Sequence, residues 1–307
     1  SRFTLVSPAQ RRRQLLDFNP VATTLPPHDI CALFKEAADR HADNIAIVSA
    51  AGGMRYRDVD EKSDRAADAL RRALGGEGGI VGLCVERSAE AIVGMLAILR
   101  AGGCFLPLDP AYPDERLAHM LRDSGARLLI VDAASMRRIA SIVGDDLALI
   151  AVDALFDAPS TSTSTPAAAP GLAAIDGRIA QAGPACLIYT SGSTGQPKGV
   201  LIGHAGLVNH NRFARDFYGI TAADAQLQCS SMSFDLFLEE VLTVLTSGGK
   251  LVVASGKEAL SLQRLATLVD EHALTALNLP TAHFHEIASS GLHFASLRKV
   301  IVGGERL

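Results

Sequence analysis

The chain has 307 residues, 48% of them hydrophobic, and its 29 Lys+Arg against 33 Asp+Glu leave a formal charge of -4; that length suggests two lobes of about 150 residues with a sizeable core. The balanced charge, interrupted only by the short run Arg11, Arg12 and Arg13, carries no nucleic-acid footprint. Cys31, Cys84, Cys104, Cys186 and Cys229 share no CxxC pair or regular spacing, and no apolar run approaches the roughly 20 residues that cross a bilayer, so the expectation is a cytoplasmic protein with reduced cysteines and neither a nucleic-acid nor a membrane partner.

Residues 1–27, with Pro8, Pro20, Pro26 and Pro27 and little periodicity, read as a lead-in linker. From residue 28 helical and strand patterns alternate. DICALFKEAADR (29–40) and VDEKSDRAADALRRAL (59–74) carry apolar residues at helical spacing, whereas NIAIVSA (44–50), GIVGLCV (79–85), ARLLIVD (126–132), LALIAV (147–152) and KLVVA (250–254) are short apolar runs rich in β-branched residues. Such runs fit strands covered on both faces by helices, which predicts an α/β fold with stacked, largely parallel sheets. The expected lobes are 28–184 and 185–307. Within the first, DAPSTSTSTPAAAPG (157–171) lacks large apolar residues and is expected to be a mobile surface loop.

The second lobe opens with ACLIY (185–189), read as a buried strand. TSGSTGQPKG (190–199) follows as a tight hairpin-like loop, and Lys198 to Ile202 as a second strand leading to His204 and a helix. The loop fits neither a Walker A pattern, since Lys198 is flanked by Pro197 and Gly199, nor G-x-G-x-x-G, since the glycines fall at Gly192, Gly195 and Gly199. Its backbone amides can form an anion nest, to which Thr190, Ser191, Ser193 and Thr194 add hydroxyls and Lys198 a charge. On residues alone, a triphosphate cradle and a ligand-free Ser/Gly turn both remain open.

Asp235, in SMSFDLFLEEVLTVL, interrupts an apolar stretch. A buried lone carboxylate is costly, so this one either meets a cation or caps the next helix. His283 and His285 lie two apart with no third ligand at suitable spacing, so they read as ordinary helix residues and no protein metal site is expected.

YTSGSTGQPKGV resembles the phosphate-loop motif of the adenylate-forming enzymes, the superfamily of acyl-CoA synthetases, luciferases and the adenylation domains of nonribosomal peptide synthetases. Residues 85–130 are similar along their length to the second core motif of the peptide-synthetase branch. MRYRDVDEKSDRAADAL near residue 54, SFDLFLEE at 233, NLPT at 278 and VIVGGERL at 300 agree in the same order, and QRRRQLLDFNP resembles the linker that follows a condensation domain.

The resemblance implies ATP-dependent activation of a carboxylic acid to an acyl-adenylate, with release of pyrophosphate and transfer to a thiol. It assigns the loop over the phosphates to Thr190, Ser191, Gly192, Ser193, Thr194, Gly195 and Lys198, with Thr190 and Lys198 catalytic. Gly303, Gly304 and Glu305 would line the adenine, and His204 matches a further family position. Phe234 and Asp235 form the motif whose aspartate binds an α-ammonium group, which favours an α-amino acid. Leu236, Glu239, Asn278, Ile301 and Gly303 would line the side-chain pocket, with Glu240 a general feature of the motif. A pocket-facing Glu239 suits a basic amino acid. Phe237 stands where a small Ser is frequent, which leaves a rotated helix and a solvent-facing Glu239 as the alternative.

The implied cofactors are ATP, Mg²⁺ and the phosphopantetheine of a carrier domain. The implied partners are that carrier domain, an upstream condensation domain and a small MbtH-like accessory protein. The sequence ends before the family's magnesium-binding glutamate, ribose-binding aspartate and C-terminal lysine, so the expectation is the N-terminal portion of an adenylation domain, poorly active alone. An acyl-CoA or aryl-acid ligase, or a non-catalytic interaction module, is the alternative.

Overall fold

The computed structural model describes residues 6–18, 29–76, 78–144, 147–156, 183–191, 196–254 and 261–304. The loop expected at 157–171 lies outside them, as does the linker except for residues 6–18. Those fold as α1 (Pro8–Arg12), capped by the Ser7 side chain, and a π turn over Arg13–Asp17.

α2 (Ile30–Arg40) begins where the Asp29 carboxylate accepts the Ala32 amide at 2.7 Å, satisfying a donor that has no partner within the helix. β1 (Ile45–Ser49) and β2 (Gly52–Arg55) pair antiparallel and lead into α3 (Tyr56–Ala73). β3 (Gly79–Cys84), α4 (Ala89–Arg100), β4 (Gly103–Pro107), α5 (Asp114–Ser124), β5 (Leu128–Val131), α6 (Ala133–Ile142) and β6 (Ala148–Ala151) alternate strictly, and α7 (Val152–Phe156) follows. Further along come β7 (Pro184–Thr190), β8 (Lys198–Gly203), α8 (His204–Tyr218), β9 (Ala225–Gln228), α9 (Asp235–Leu245) and β10 (Lys250–Val253). α10 (Leu262–His272), β11 (Ala276–Pro280), α11 (Thr281–Ser290) and β12 (Lys299–Gly303) complete the described elements.

The strands form two sheets, ordered β12-β11-β9-β10-β1-β2 and β6-β5-β3-β4-β7-β8. Every described pairing is parallel except β1 with β2 and β7 with β8, as the apolar runs predict. The strand order crosses the expected boundary at 184/185. β1 and β2, from the first stretch, complete the sheet of β9–β12, while β7 and β8, from the second, extend the sheet of β3–β6. Pairing partners are chosen by complementary edges and register, and chain order does not dictate them.

The sheets share one core. In α4 every residue from Ala89 to Leu99 is buried, apart from the half-buried Glu90, and the helix touches β3 and β4 on one side and β1 on the other. Such all-round apolarity is the signature of a helix enclosed on every face. Tyr56 of α3, fully buried, donates its hydroxyl to the Gly249 carbonyl at 2.7 Å and lies 3.0 Å from that of Leu245, which locks α3 to the end of α9.

Edge strand β12 is pinned by a buried carboxylate. Asp224 accepts from the Thr221 amide at 2.8 Å, Thr275 Oγ1 at 2.7 Å, Lys299 Nζ at 2.9 Å and Arg298 Nη2 at 3.0 Å. Burial alone raises its pKa, but the bonds from Lys299, Thr275 and Thr221 overcome this and hold it at about 2. Among the described residues no helix is long and apolar enough to cross a membrane.

Candidate nucleotide and acyl-substrate site

The β7–β8 hairpin brings Thr190 opposite Lys198 and Tyr189 opposite Gly199. Thr190 Oγ1 lies 3.5 Å from the Lys198 carbonyl. A Cβ on Gly199 would sit 2.9 Å from Leu187 Cδ1 and 3.3 Å from the Tyr189 ring, so the glycine lets the ring lie against the opposite strand. The Tyr189 hydroxyl donates to Asp123 Oδ2 at 2.7 Å and lies 3.3 Å from the Met120 carbonyl; burial, and then Asp123, push its pKa up. His119 Nε2 lies 3.3 Å from the Pro197 carbonyl. Thus α5 braces both arms of the hairpin, while Thr190, Ser191 and Lys198 stay solvent-accessible at its tip. Gly192, Ser193, Thr194, Gly195 and Glu305 lie outside the described residues. Lys198 has no ion pair among the described residues, and Gly303 and Gly304 are exposed at the end of β12.

The segment between β9 and α9 is held from three directions. Glu240, fully buried, accepts from Gln228 Nε2 and from the amides of Cys229 and Ser230, each at 3.2 Å. Burial raises its pKa to about 7 in spite of those donors. The Arg87 guanidinium donates to the Cys229 carbonyl, and Ser231 Oγ donates to Asp109 Oδ2 at 2.6 Å. Arg87 and Asp109 belong to loops of the other sheet. The Arg87 and Asp109 anchors escaped the sequence reading because their partners lie 142 and 122 residues away in the chain. Glu240 alone was named there, as a general feature of the motif that carries the resemblance.

Asp235 is the first residue of α9 and is exposed, its Oδ1 accepting the Leu236 amide at 2.9 Å. The N-cap position is Phe234, without a side-chain bond, so Asp235 does not cap the helix. Its carboxylate has no ion pair among the described residues. Phe234 is 59% exposed beside it. Phe237 is fully buried, 6.4 Å from the Phe105 ring centroid, so the core fixes the rotation of α9. Asp235 and Glu239, four residues apart, then share the opposite face, with Leu236 partly buried on that turn.

Glu239 does not point to open solvent, since its side chain is only 12% exposed. Its Oε1 accepts from Asn278 Nδ2 at 2.9 Å and its Oε2 lies 2.9 Å from His210 Nε2. The Tyr218 hydroxyl is near enough to feel its charge: burial first and Glu239 second raise the Tyr218 pKa. Asn278 Oδ1 lies 3.4 Å from Gln226 Nε2. Asn278 sits opposite Ile301, and Pro280 opposite Gly303, in the β11–β12 ladder. The structure therefore gathers Glu239, Asn278 and Ile301, and adds His210, Tyr218 and Gln226. His204 is buried at the start of α8, and burial lowers its pKa.

Hairpin and acidic cluster lie in different sheets, and one side-chain bond links them. β4 and β7 run parallel with Phe105 opposite Cys186, so Asp109 and Thr190 both emerge at their C-terminal ends, and Asp109 is bonded to the loop preceding Asp235. Ligands of parallel α/β sheets bind at such ends.

The structure is an α/β protein in which the β7–β8 hairpin and the segment leading to Asp235 are linked through Asp109 and Ser231. The family model of the AMP-binding enzyme matches residues 34–307, and the chain belongs to that family. It is 34% identical to bacitracin synthase 3 of Bacillus licheniformis over 302 residues, covering 98% of this chain and 4% of that protein. With surfactin synthase subunit 2 of Bacillus subtilis (strain 168) it shares 31% identity over 292 residues, covering 93% of this chain and 8% of that protein. The chain thus spans a small part of the relatives it matches. Among solved structures, the AMPPNP-bound form of the nonribosomal peptide synthetase FmoA3 superposes with a TM-score of 0.81 at 27% identity, over 96% of this chain and 31% of that one. The Klebsiella oxytoca NpsA N-terminal subdomain in complex with 3-hydroxybenzoyl-AMSN gives 0.76 at 26%, over 90% and 66%. The fold is that of the N-terminal subdomain of peptide-synthetase adenylation domains.

Proposed function

We propose that this chain forms the ATP- and amino-acid-binding part of an enzyme that activates an α-amino acid as its aminoacyl-adenylate. The supporting observation is the link between the sheets, where the exposed Lys198 hairpin and the segment of Asp235, whose carboxylate has no ion pair among the described residues, are joined through Asp109 and Ser231. Thr190, Ser191 and Lys198, with Gly192, Ser193, Thr194 and Gly195, bind the β- and γ-phosphates, and Gly303, Gly304 and Glu305 line the adenine. The substrate carboxylate attacks the α-phosphorus and the bond to the β-phosphate oxygen breaks, releasing pyrophosphate. Lys198 and the loop donors stabilise the departing charge. Mg²⁺ is the usual counter-cation of such phosphates. No cluster of three or more His, Cys, Asp or Glu gathers for it among the described residues, and the counter-charge this chain itself brings to the phosphates is Lys198.

Asp235 pairs with the α-ammonium group, and Phe234, Leu236, Glu239, Asn278, Ile301 and Gly303 surround the side chain. Glu239, the one carboxylate in that set, favours a basic amino acid such as ornithine, lysine or arginine. The adenylate then passes to the phosphopantetheine thiol of a carrier domain. An upstream condensation domain and a small MbtH-like accessory protein are the further partners of this reading, and a structure of NpsA fused to a carrier domain is among the chain's structural neighbours. A second reading, an aryl-acid ligase, draws on the 3-hydroxybenzoyl analogue bound to NpsA, but leaves Asp235 without a cation. Pyrophosphate exchange in the full-length protein against basic, neutral and aryl acids decides between them. Amino-acid-dependent exchange that Asp235→Ala abolishes is the expected result, and exchange driven by aryl acids alone overturns it.

A further inference from the structure

The Glu239 carboxylate is held at both oxygens. Oε2 lies 2.9 Å from Nε2 of the exposed His210, and Oε1 accepts from Asn278 Nδ2 at 2.9 Å. A carboxylate offers about four acceptor positions, so two of them remain for the donors of a substrate side chain. Because a carboxylate only accepts, the Asn278 amide turns its nitrogen to Glu239 and its Oδ1 away. That oxygen lies 3.4 Å from Gln226 Nε2. One amide orients the next: Gln226 presents its nitrogen to Asn278, and its buried Oε1 has no partner among the described residues. Gln226 of β9 and Asn278 of β11 are each 1% exposed. A buried amide with an unmet acceptor costs the fold free energy, and a methionine of similar volume would fill the place without that cost. What the glutamine supplies and a methionine lacks is the donor to Asn278.

Resting on the amino-acid-activating reading above, we propose that Gln226 is a positioning residue for the substrate side chain: it holds Asn278 by its oxygen, and Asn278 in turn holds Glu239 toward a cationic group. Gln226 is too deeply buried to meet the substrate itself and acts only through Asn278. Without its N–H, Asn278 Oδ1 becomes a buried acceptor with no donor. Rotamers that turn this oxygen toward another donor, the substrate's own ammonium included, then compete with the bond to Glu239. A carboxylate released in this way binds a basic side chain less well, in the ground state and the transition state alike.

The test measures pyrophosphate exchange in the full-length protein with ornithine and with norvaline, which has the same carbon skeleton without the side-chain ammonium. In Gln226→Met the ornithine-to-norvaline ratio of kcat/KM should fall roughly three- to tenfold, the scale of one hydrogen bond. The loss should appear in KM for ornithine rather than in kcat. Gln226→Asn keeps an amide but withdraws it by one methylene, and should give the same loss. In an Asn278→Leu background nothing is left to orient, so adding Gln226→Met should leave the ratio where Asn278→Leu alone puts it. A fall shared equally by ornithine and norvaline, a wild-type ratio in either Gln226 variant, or an undiminished effect in the Asn278→Leu background overturns the role of Gln226 while leaving amino-acid activation intact. Exchange with neutral but not basic amino acids removes the charge pairing that the inference deepens, and absence of exchange with any amino acid removes the functional reading itself.

Discussion

Ser231 donates to Asp109 at 2.6 Å across 122 residues of sequence, joining the loop that carries Asp235 to the sheet that carries the β7–β8 hairpin. Ser231→Ala leaves the Asp109 carboxylate short of a donor. The expected cost is about 1–2 kcal/mol of stability in urea unfolding, together with a higher KM for the acyl substrate. A variant with wild-type stability and KM would mean that the bond positions nothing.

Lys198 stands at the hairpin end, opposite Thr190. Lys198→Ala should lower pyrophosphate exchange by roughly 10- to 100-fold, the scale of a lost charged donor, while Lys198→Arg retains part of the activity. Unchanged exchange kinetics in the alanine variant would remove the phosphate assignment.

Glu240 carries a pKa raised to about 7 by burial, against an ordinary value of 4.5. A raised carboxylate stabilises the fold fully below its unfolded value and loses that contribution as pH climbs through the folded one. Wild type should therefore lose up to a few kcal/mol between about pH 4.5 and about pH 7 relative to Glu240→Gln. Parallel stability curves for the two proteins, from denaturant titrations across that range, would contradict this.

Asp224 behaves in the opposite sense. Burial opposes its ionisation, but Lys299, Thr275 and Thr221 hold it at about 2, below its ordinary 3.8. Its contribution is present above about pH 4 and disappears as pH falls toward about pH 2. Asp224→Asn should cost about 2–4 kcal/mol at neutral pH, less than a fully enclosed pair because Arg298 remains exposed. It should also release β12, which hydrogen exchange of the Ile301 amide would report.

Much of this was legible in the sequence. β1, β3, β5, β6, β7 and β10 fall on the apolar runs, and the hairpin was readable from its glycines. Strand β9 was not, because its sequence is Ala-Gln-Leu-Gln and both Gln226 and Gln228 are buried. Their Nε2 groups donate to Asn278 and to Glu240 with the Ser230 carbonyl, while their buried Oε1 atoms have no partner among the described residues; the bonds to Asn278 and Glu240 cross between elements, which no alternation pattern reveals. The same limit hid His210, a helix residue whose partner lies 29 positions on. Phe237 raised the prospect of a rotated α9; packing against Phe105 of β4 fixes the rotation instead, and a contact with a strand 132 residues earlier cannot be read from one helix.

The interleaved strand order bears on attempts to transplant this candidate site into another member of the AMP-binding family. A graft of residues 204–303 imports β9–β12 but leaves behind β1 and β2, which finish the same sheet. The seam then runs along the Ile47–Leu251 and Val48–Val252 pairs, so a chimera must match host and donor side chains there and beneath α4. Junctions chosen by chain position alone would split a single core between two parents.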